Sequence, residues 1–322
     1  MKRILFLLGI GLSLIPLSYS YGATAPMMLA ANTQNTFAGS INDFIRAVLS
    51  SNNDIRCFSW GWLGVLTTLA AFNEFTRFVN DGFDAEKILV CVILIITTTY
   101  LCTHFIEPMD VIWQSANAIS LSFLEGVTGN RDPLYLTKWL NHTLYRLVID
   151  DPSLMLDTGY VIIMALLWEA AIALVTLMMY LVGIWATWGF ALSKLLAMLF
   201  IPCLVYPPTR GYFDAFFKFF LGFVILLLVM RITGAIAALT LQAQFQTLGL
   251  TCSSVVSCAI RDGTEVNPTM QLTMIITCFL CTLLVASSFK FAYELAGVCG
   301  SASGGAVGSL TSLVKKGLTK LK

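Results

Sequence analysis

The sequence predicts an all-α, polytopic helical membrane protein with five or six hydrophobic segments, one of them a re-entrant candidate, and a small helical domain on the periplasmic side. Three observations carry this. Of 322 residues, 57% are hydrophobic and 11% charged, where soluble domains hold about 45–50% and about 25%. Mean hydropathy is +0.81. The apolar residues are bunched into runs approaching the roughly 20 residues that cross about 30 Å of hydrocarbon. A cytosolic enzyme, a secreted disulfide scaffold and a disordered tail are excluded. An outer-membrane barrel is disfavoured because its strands would alternate over about 10 residues. The net charge of +1 hides an asymmetry: Lys290 to Lys322 holds five Lys and one Glu, leaving the rest net negative. No basic face outside that tail marks a nucleic-acid-binding domain, although DNA could pass as unrecognised cargo.

Met1-Lys2-Arg3, an apolar stretch from Ile4 to Leu17 and small residues around Ser18, Ser20 and Gly22 describe a secretory signal at 1–23. Ser20, Gly22 and Ala23 each offer a cleavage point, and an uncleaved anchor is the other reading. Either way residues 24–56 are expected outside the cytoplasm. In that segment Phe37, Ile41, Phe44, Ile45, Val48 and Leu49 recur at three- and four-residue steps. The spacing fits a helix lying on a membrane or partner, or an ordinary packed helix.

Hydrophobic segments follow at 57–73, 88–106, 159–186, 189–207, 213–239 and 270–289. The first two make a pair of transmembrane helices within 57–106. Residues 107–158 carry seven acidic residues against Arg131, Lys138 and Arg146, which suits the trans side. Helical pieces at Val111–Val127 and Leu134–Ile149 mark this stretch as a small periplasmic domain. Core membrane helices with a Pro/Arg turn occupy 159–239, a periplasmic loop 240–269, the last transmembrane helix 270–289 and a basic tail 290–322. An exported start followed by six crossings would leave the Lys-rich tail outside, against the positive-inside rule. Five crossings place it inside. The fourth segment, with Lys194 near its start, Pro202 within it and Tyr206-Pro207-Pro208-Thr209-Arg210-Gly211 at its end, is the candidate for re-entrance. Six full crossings with an external tail is the rival.

Nine cysteines make an odd count. Cys91, Cys102, Cys203, Cys278 and Cys281 lie in or beside apolar runs and read as small packing residues. Cys278-x-x-Cys281 has redox spacing, but its apolar setting argues for packing. Cys252 and Cys258 flank a polar Ser/Val loop and form a disulfide candidate if that loop is outside. His104 and His142 are isolated. With no zinc spacing, nucleophile motif or phosphate-binding glycine loop, no catalytic, cofactor-binding or metal residue is nominated. The protein reads as not an enzyme.

Intramembrane charge is costly unless paired or hydrated. Glu169 lies about 15 Å into its segment at about 1.5 Å per residue. It is expected to face a subunit interface or aqueous path with Lys194 as partner, or else to be protonated while Lys194 snorkels. Small residues four apart (Gly234/Ala238, Ala292/Ala296, Gly300/Gly304/Gly308) allow close helix approach. Leu310, Leu313, Val314, Leu318 and Leu321 share a face in the tail, with its lysines mostly off it. Such a helix binds anionic membrane lipid or an acidic partner, or is simply solvated.

The order of segments, with Gly189-Phe190-Ala191-Leu192-Ser193-Lys194, Phe200-Ile201-Pro202 and Pro207-Pro208-Thr209-Arg210-Gly211-Tyr212-Phe213, resembles the TrbL family, polytopic inner-membrane subunits of type IV secretion and conjugation machines. The likeness of layout covers about 57–310 and is densest at 185–235. It implies a homo-oligomer in the bacterial inner membrane, at the base of a translocation channel. Implied partners are energising ATPases, periplasmic and outer-membrane core proteins, pilus subunits and membrane lipid, with DNA or protein as cargo. The residues carried over are Pro202, Thr209, Arg210, Tyr212, Phe213, Phe216 and Phe217. The short tail and the Cys252/Cys258 loop depart from the family pattern. A channel or scaffold subunit is therefore expected. The alternative is a small-solute secondary transporter, disfavoured because only one segment is broken and no half-to-half repeat is visible.

Overall fold

The computed structural model describes residues 39–41, 43–48, 54–132, 148–149, 158–247, 265–266, 268–298 and 302–321. The signal segment, most of 24–56, the helical piece expected over 134–147, and Cys252 and Cys258 lie outside the described residues. Apart from one two-residue parallel pairing of Val148–Ile149 with Glu265–Val266, the described chain is helices and turns. Residues 148 and 149 are thus extended, not the end of a helix.

Helix α1 (Asp54–Asp81) ends where Gly82 takes φ +88 and returns its N–H to the Phe78 carbonyl at 3.1 Å, a left-handed cap that suits glycine. Two residues later Asp84 caps α2 (Ala85–His104), accepting from the N–H groups of Glu86 and Lys87. Helix α3 (Ile106–Thr128) follows with Phe105 itself in helical conformation at φ −64, ψ −25. The interruption falls here because Pro108 has no N–H to offer the His104 carbonyl. Gly129 at φ +69 ends α3, bonding to the Glu125 carbonyl at 2.7 Å.

Helix α4 runs unbroken from Thr158 to Phe200, 43 residues, rising about 65 Å at about 1.5 Å per residue. This corrects the sequence expectation of separate third and fourth segments. The residues at 186–189 contain no proline, and the run is one helix, so the fourth segment is not a re-entrant hairpin. Short 3-10 turns at Ile201–Leu204 and Pro207–Thr209 reverse the chain into α5 (Arg210–Thr247). Helices α6 (Pro268–Val298) and α7 (Ala302–Leu321) complete the fold. Among the described residues five stretches are long and apolar enough to cross a membrane: Asp54–Asn80, Ala85–His104, Leu166–Leu204, Pro207–Gln246 and Met270–Lys316.

The packing is stacked along the long axis. At one end Leu124 of α3, Trp168, Ile172 and Val175 of α4, Leu241 and Phe245 of α5, and Met274 and Cys278 of α6 form a four-helix core. A middle layer joins Val182 and Ala186 to Leu226, Leu227, Val285 and Ala292. Next come Phe105, Met109, Phe190, Met198, Ile201, Phe216 and Phe220. The α1–α2 hairpin sits at the far end, beside the 3-10 turns and α7, through Val90, Leu94, Leu204 and Val314 and through Leu63, Ala70 and Val205. Small residues serve close approach within the chain: Gly234, Ala238, Ala292 and Ala296 are all buried. Helix α7 is not a solvated tail. Asp214 of α5 accepts from the Ser303 N–H at 2.7 Å and its hydroxyl at 2.8 Å, a carboxylate at a helix N-terminus, while Val314 is buried and Leu313 is exposed.

Candidate functional site: the Pro-Arg turn and the buried polar contacts

A helix that ends inside an apolar protein leaves carbonyls without partners. The Pro-Arg turn satisfies them locally. Val205 N–H bonds to the Pro202 carbonyl at 3.2 Å, and Thr209 N–H to that of Tyr206 at 3.0 Å. The Thr209 hydroxyl contacts the carbonyls of Cys203 and Tyr206, each at 2.9 Å. Arg210 donates from Nε to the Leu204 carbonyl at 3.1 Å and from Nη2 to that of Val205 at 3.4 Å. Tyr206 is extended, φ −92 and ψ 123, as a residue before proline prefers. Thus Thr209 and Arg210 jointly hold the reversal, and Pro202 is buried within it.

The aromatic run behind the turn is sorted by helical position. Phe213 stacks on Phe217 at 6.2 Å and Phe200 on Phe216 at 5.9 Å, and Phe220 continues the row. Phe216 is buried, whereas Tyr212 points out with 63% of its surface exposed.

Lys194 is 7% exposed and pairs with Asp110 of α3 at 2.6 Å. Its ammonium also lies 4.7 Å from the Phe190 ring centroid, and Trp113 stacks on that same ring at 4.3 Å between centroids. Glu169 is not its partner. The two share α4 and stand 25 residues apart, about 37 Å along a helix. Glu169 is exposed on the outer face, and no described residue forms an ion pair with it.

Arg231, which the sequence reading passed over, is also 7% exposed. Its Nη1 donates to the Asn117 carbonyl at 3.1 Å and the Ser120 hydroxyl at 2.6 Å, and its Nε has no partner among the described residues. A lone arginine inside the 213–239 apolar run was the available signal. Asp110, Trp113, Asn117 and Ser120 recur at three- and four-residue steps, so one face of α3 supplies the contacts to both buried cations. Higher in the bundle the Thr233 and Ser288 hydroxyls meet at 2.8 Å, joining α5 to α6. Cys278 and Cys281 are buried free thiols, the packing role expected of them. Among the described residues no group of three or more His, Cys, Asp or Glu side chains is placed to hold a metal ion.

Long apolar helices locked to one another by a few buried polar pairs define a multi-pass helical membrane protein. The TrbL/VirB6 plasmid conjugal transfer family model matches residues 88–292, and the chain belongs to that family. It is therefore a component of conjugal transfer, that is, type IV secretion machinery, a structural role exercised together with other components of such a system. No curated protein and no solved structure matches it.

Proposed function

We propose that this protein is an inner-membrane channel or scaffold subunit of a type IV secretion machine, that it multimerises, and that it helps substrate cross the cytoplasmic membrane. The observation carrying this reading is the length of exposed apolar surface. The Leu166–Leu204 stretch has 39 residues, about 58 Å of helix against about 30 Å of hydrocarbon. A tilt of about 40°, the upper end for spanning helices, still leaves about 44 Å. Moreover, the α1–α2 hairpin packs beside the end of α4, with the Ser59 hydroxyl donating to the Met198 carbonyl at 2.6 Å and Leu63 and Ala70 clustered with Val205. Leu166, Leu177, Trp185 and Leu192 are exposed along α4, as are Ile276, Leu280 and Leu283 along α6. Lipid tails cover one hydrocarbon thickness, and the remainder is covered by copies or companions.

In this reading Glu169, on the exposed face of α4, meets a neighbouring subunit, and Pro202, Thr209, Arg210 and the Tyr212–Phe217 aromatic run shape the membrane end of the subunit. The 129–158 connection and the 240–269 loop face the periplasm, where a Cys252–Cys258 disulfide forms, while α3, from the stretch expected there, packs with α4, α5 and α6 in the helix core. ATPases, periplasmic and outer-membrane core proteins and pilus subunits are the companions, and DNA or protein is the cargo. The test combines site-specific crosslinking through Glu169 and Leu283 in cells with a conjugation assay on a strain lacking the protein. Self-crosslinks above dimer size and abolished transfer are expected. A monomer in native membranes, or undiminished transfer without the protein, refutes the proposal.

A further inference from the structure

The α1–α2 loop, the Pro-Arg turn and α7 enclose a cavity of about 380 Å³, inside the roughly 300–1,000 Å³ range of small-molecule sites. Val90, Leu94 and Val307 give it an apolar wall, and six charged residues line the rest. Four of these neutralise one another: Arg77 with Glu74 and Lys87 with Asp84, both at 3.1 Å. Two charges remain. Arg210 is half-buried and binds only the uncharged carbonyls of Leu204 and Val205. Glu86 is half-buried, and its carboxylate forms no ion pair among the described residues. All six charged residues lie within two turns of an end of the stretches Asp54–Asn80, Ala85–His104 or Pro207–Gln246. Six charges gathered where three such stretches end mark the level at which hydrocarbon gives way to headgroups, with the excess length of the helices standing at the opposite end. Basic side chains between spanning helices at that level receive lipid phosphates; here three basic residues stand among three acidic ones, so the lining carries no net charge.

One unpaired cation, one unpaired anion and an apolar wall at headgroup depth match one chemical class. We propose that the cavity holds the headgroup of a zwitterionic phospholipid bearing a primary amine, its phosphate on Arg210, its ammonium on Glu86 and the beginning of its acyl chains against Val90 and Leu94. The phosphate of a purely anionic lipid would face Glu86 with no ammonium between them. A choline headgroup has no N–H to donate to that carboxylate.

The test uses the full chain, exchanged through equimolar vesicles of phosphatidylethanolamine and phosphatidylglycerol, with retained lipid identified by native mass spectrometry. The native protein should retain phosphatidylethanolamine several-fold above its bulk share. Glu86→Gln, which leaves the Asp84 cap and the turn untouched, should keep a phospholipid but lose the preference. Thr311→Trp, which fills the cavity from α7, should lose the retained lipid, as should Arg210→Gln. Because Arg210 also holds the turn, the Glu86 and Thr311 variants decide. Retained lipid that follows bulk composition, enrichment of phosphatidylglycerol, or an unchanged preference in Glu86→Gln overturns the proposal. Displacement of the lipid by millimolar soluble phosphoethanolamine also overturns it, since the ligand would then be a free phosphoamine.

Discussion

Replacing Gly189 with alanine tests the contact that makes α4 and α5 a rigid pair. A β-carbon built at Gly189 would lie 2.0 to 2.3 Å from three atoms of the Phe223 ring, where non-bonded carbons settle at about 3.5–4.0 Å. The ring would have to retreat by about 1.5 Å. Phe223 has little freedom to do so, because it makes an edge-to-face contact with Phe219 at 4.9 Å and 83° and packs against the middle layer of the core. Overfilling a packed core costs about 1–3 kcal/mol, and disturbing an aromatic pair about 0.5–1.5 kcal/mol. Alanine's better helix propensity returns about 1 kcal/mol. The net expectation is a loss of about 1–3 kcal/mol, read as a lower unfolding temperature by tryptophan fluorescence in detergent. Gly183→Ala is the matched control on the same helix. Its β-carbon would sit 3.6 Å from the Met230 sulfur, an ordinary contact, so that variant should be neutral or slightly stabilised. In a Phe223→Ala background the penalty at Gly189 should vanish. If Gly189→Ala unfolds at or above the temperature of Gly183→Ala, the steric reasoning is wrong.

Lys194→Met should destabilise by about 1–3 kcal/mol, less than breaking a fully buried ion pair costs because the stranded Asp110 side chain is 35% exposed to solvent, while Lys194→Met with Asp110→Leu should recover most of the loss in the same melting assay. Arg231→Met should behave oppositely, with a melting temperature no lower than native. Its partners stay bonded without it, because the Ser120 hydroxyl already donates to the Asn117 carbonyl at 2.8 Å, and apolar replacement of a buried charge is often neutral or better. Asp84 gives a pH-dependent signal: its hydrogen bonds to Lys87 hold its carboxyl below the usual carboxylate range. Its capping contribution is therefore full above that ordinary range and disappears as pH falls through the depressed value. Hydrogen exchange at Glu86 and Lys87 should accelerate below about pH 4, and Asp84→Ala should remove that pH response.

The helical, membrane-embedded character was legible because it depends on composition and run length, properties each segment carries by itself. The Thr209–Arg210 turn was legible for a similar reason. Its bonds reach back at most six residues, so local sequence contains both donor and acceptor. The aromatic run was only half legible: periodicity lists Tyr212, Phe213, Phe216 and Phe217 alike, but the helix rotation that buries Phe216 and exposes Tyr212 is set by what α5 packs against.

Misreadings arose where the decision was tertiary. Residue 189 looked like the start of a separate segment with Pro202 inside it, whereas Gly189 is where a ring from α5 needs room and the helix ends just before Pro202. Lys194 was matched with Glu169 because both stood out in neighbouring apolar runs. Its partner is Asp110, which the sequence places in a polar stretch assigned to another compartment.

The chain's own order of residues settled that it folds as long helices in a membrane, because burying apolar side chains and satisfying backbone groups within each helix are local requirements. Which helix faces which, and hence which charges are neutralised, was decided only by assembly. A buried Lys194 or Arg231 takes whatever acceptor the packing of α3 against α4 and α5 brings within about 3 Å, and no local pattern in the sequence records that distance.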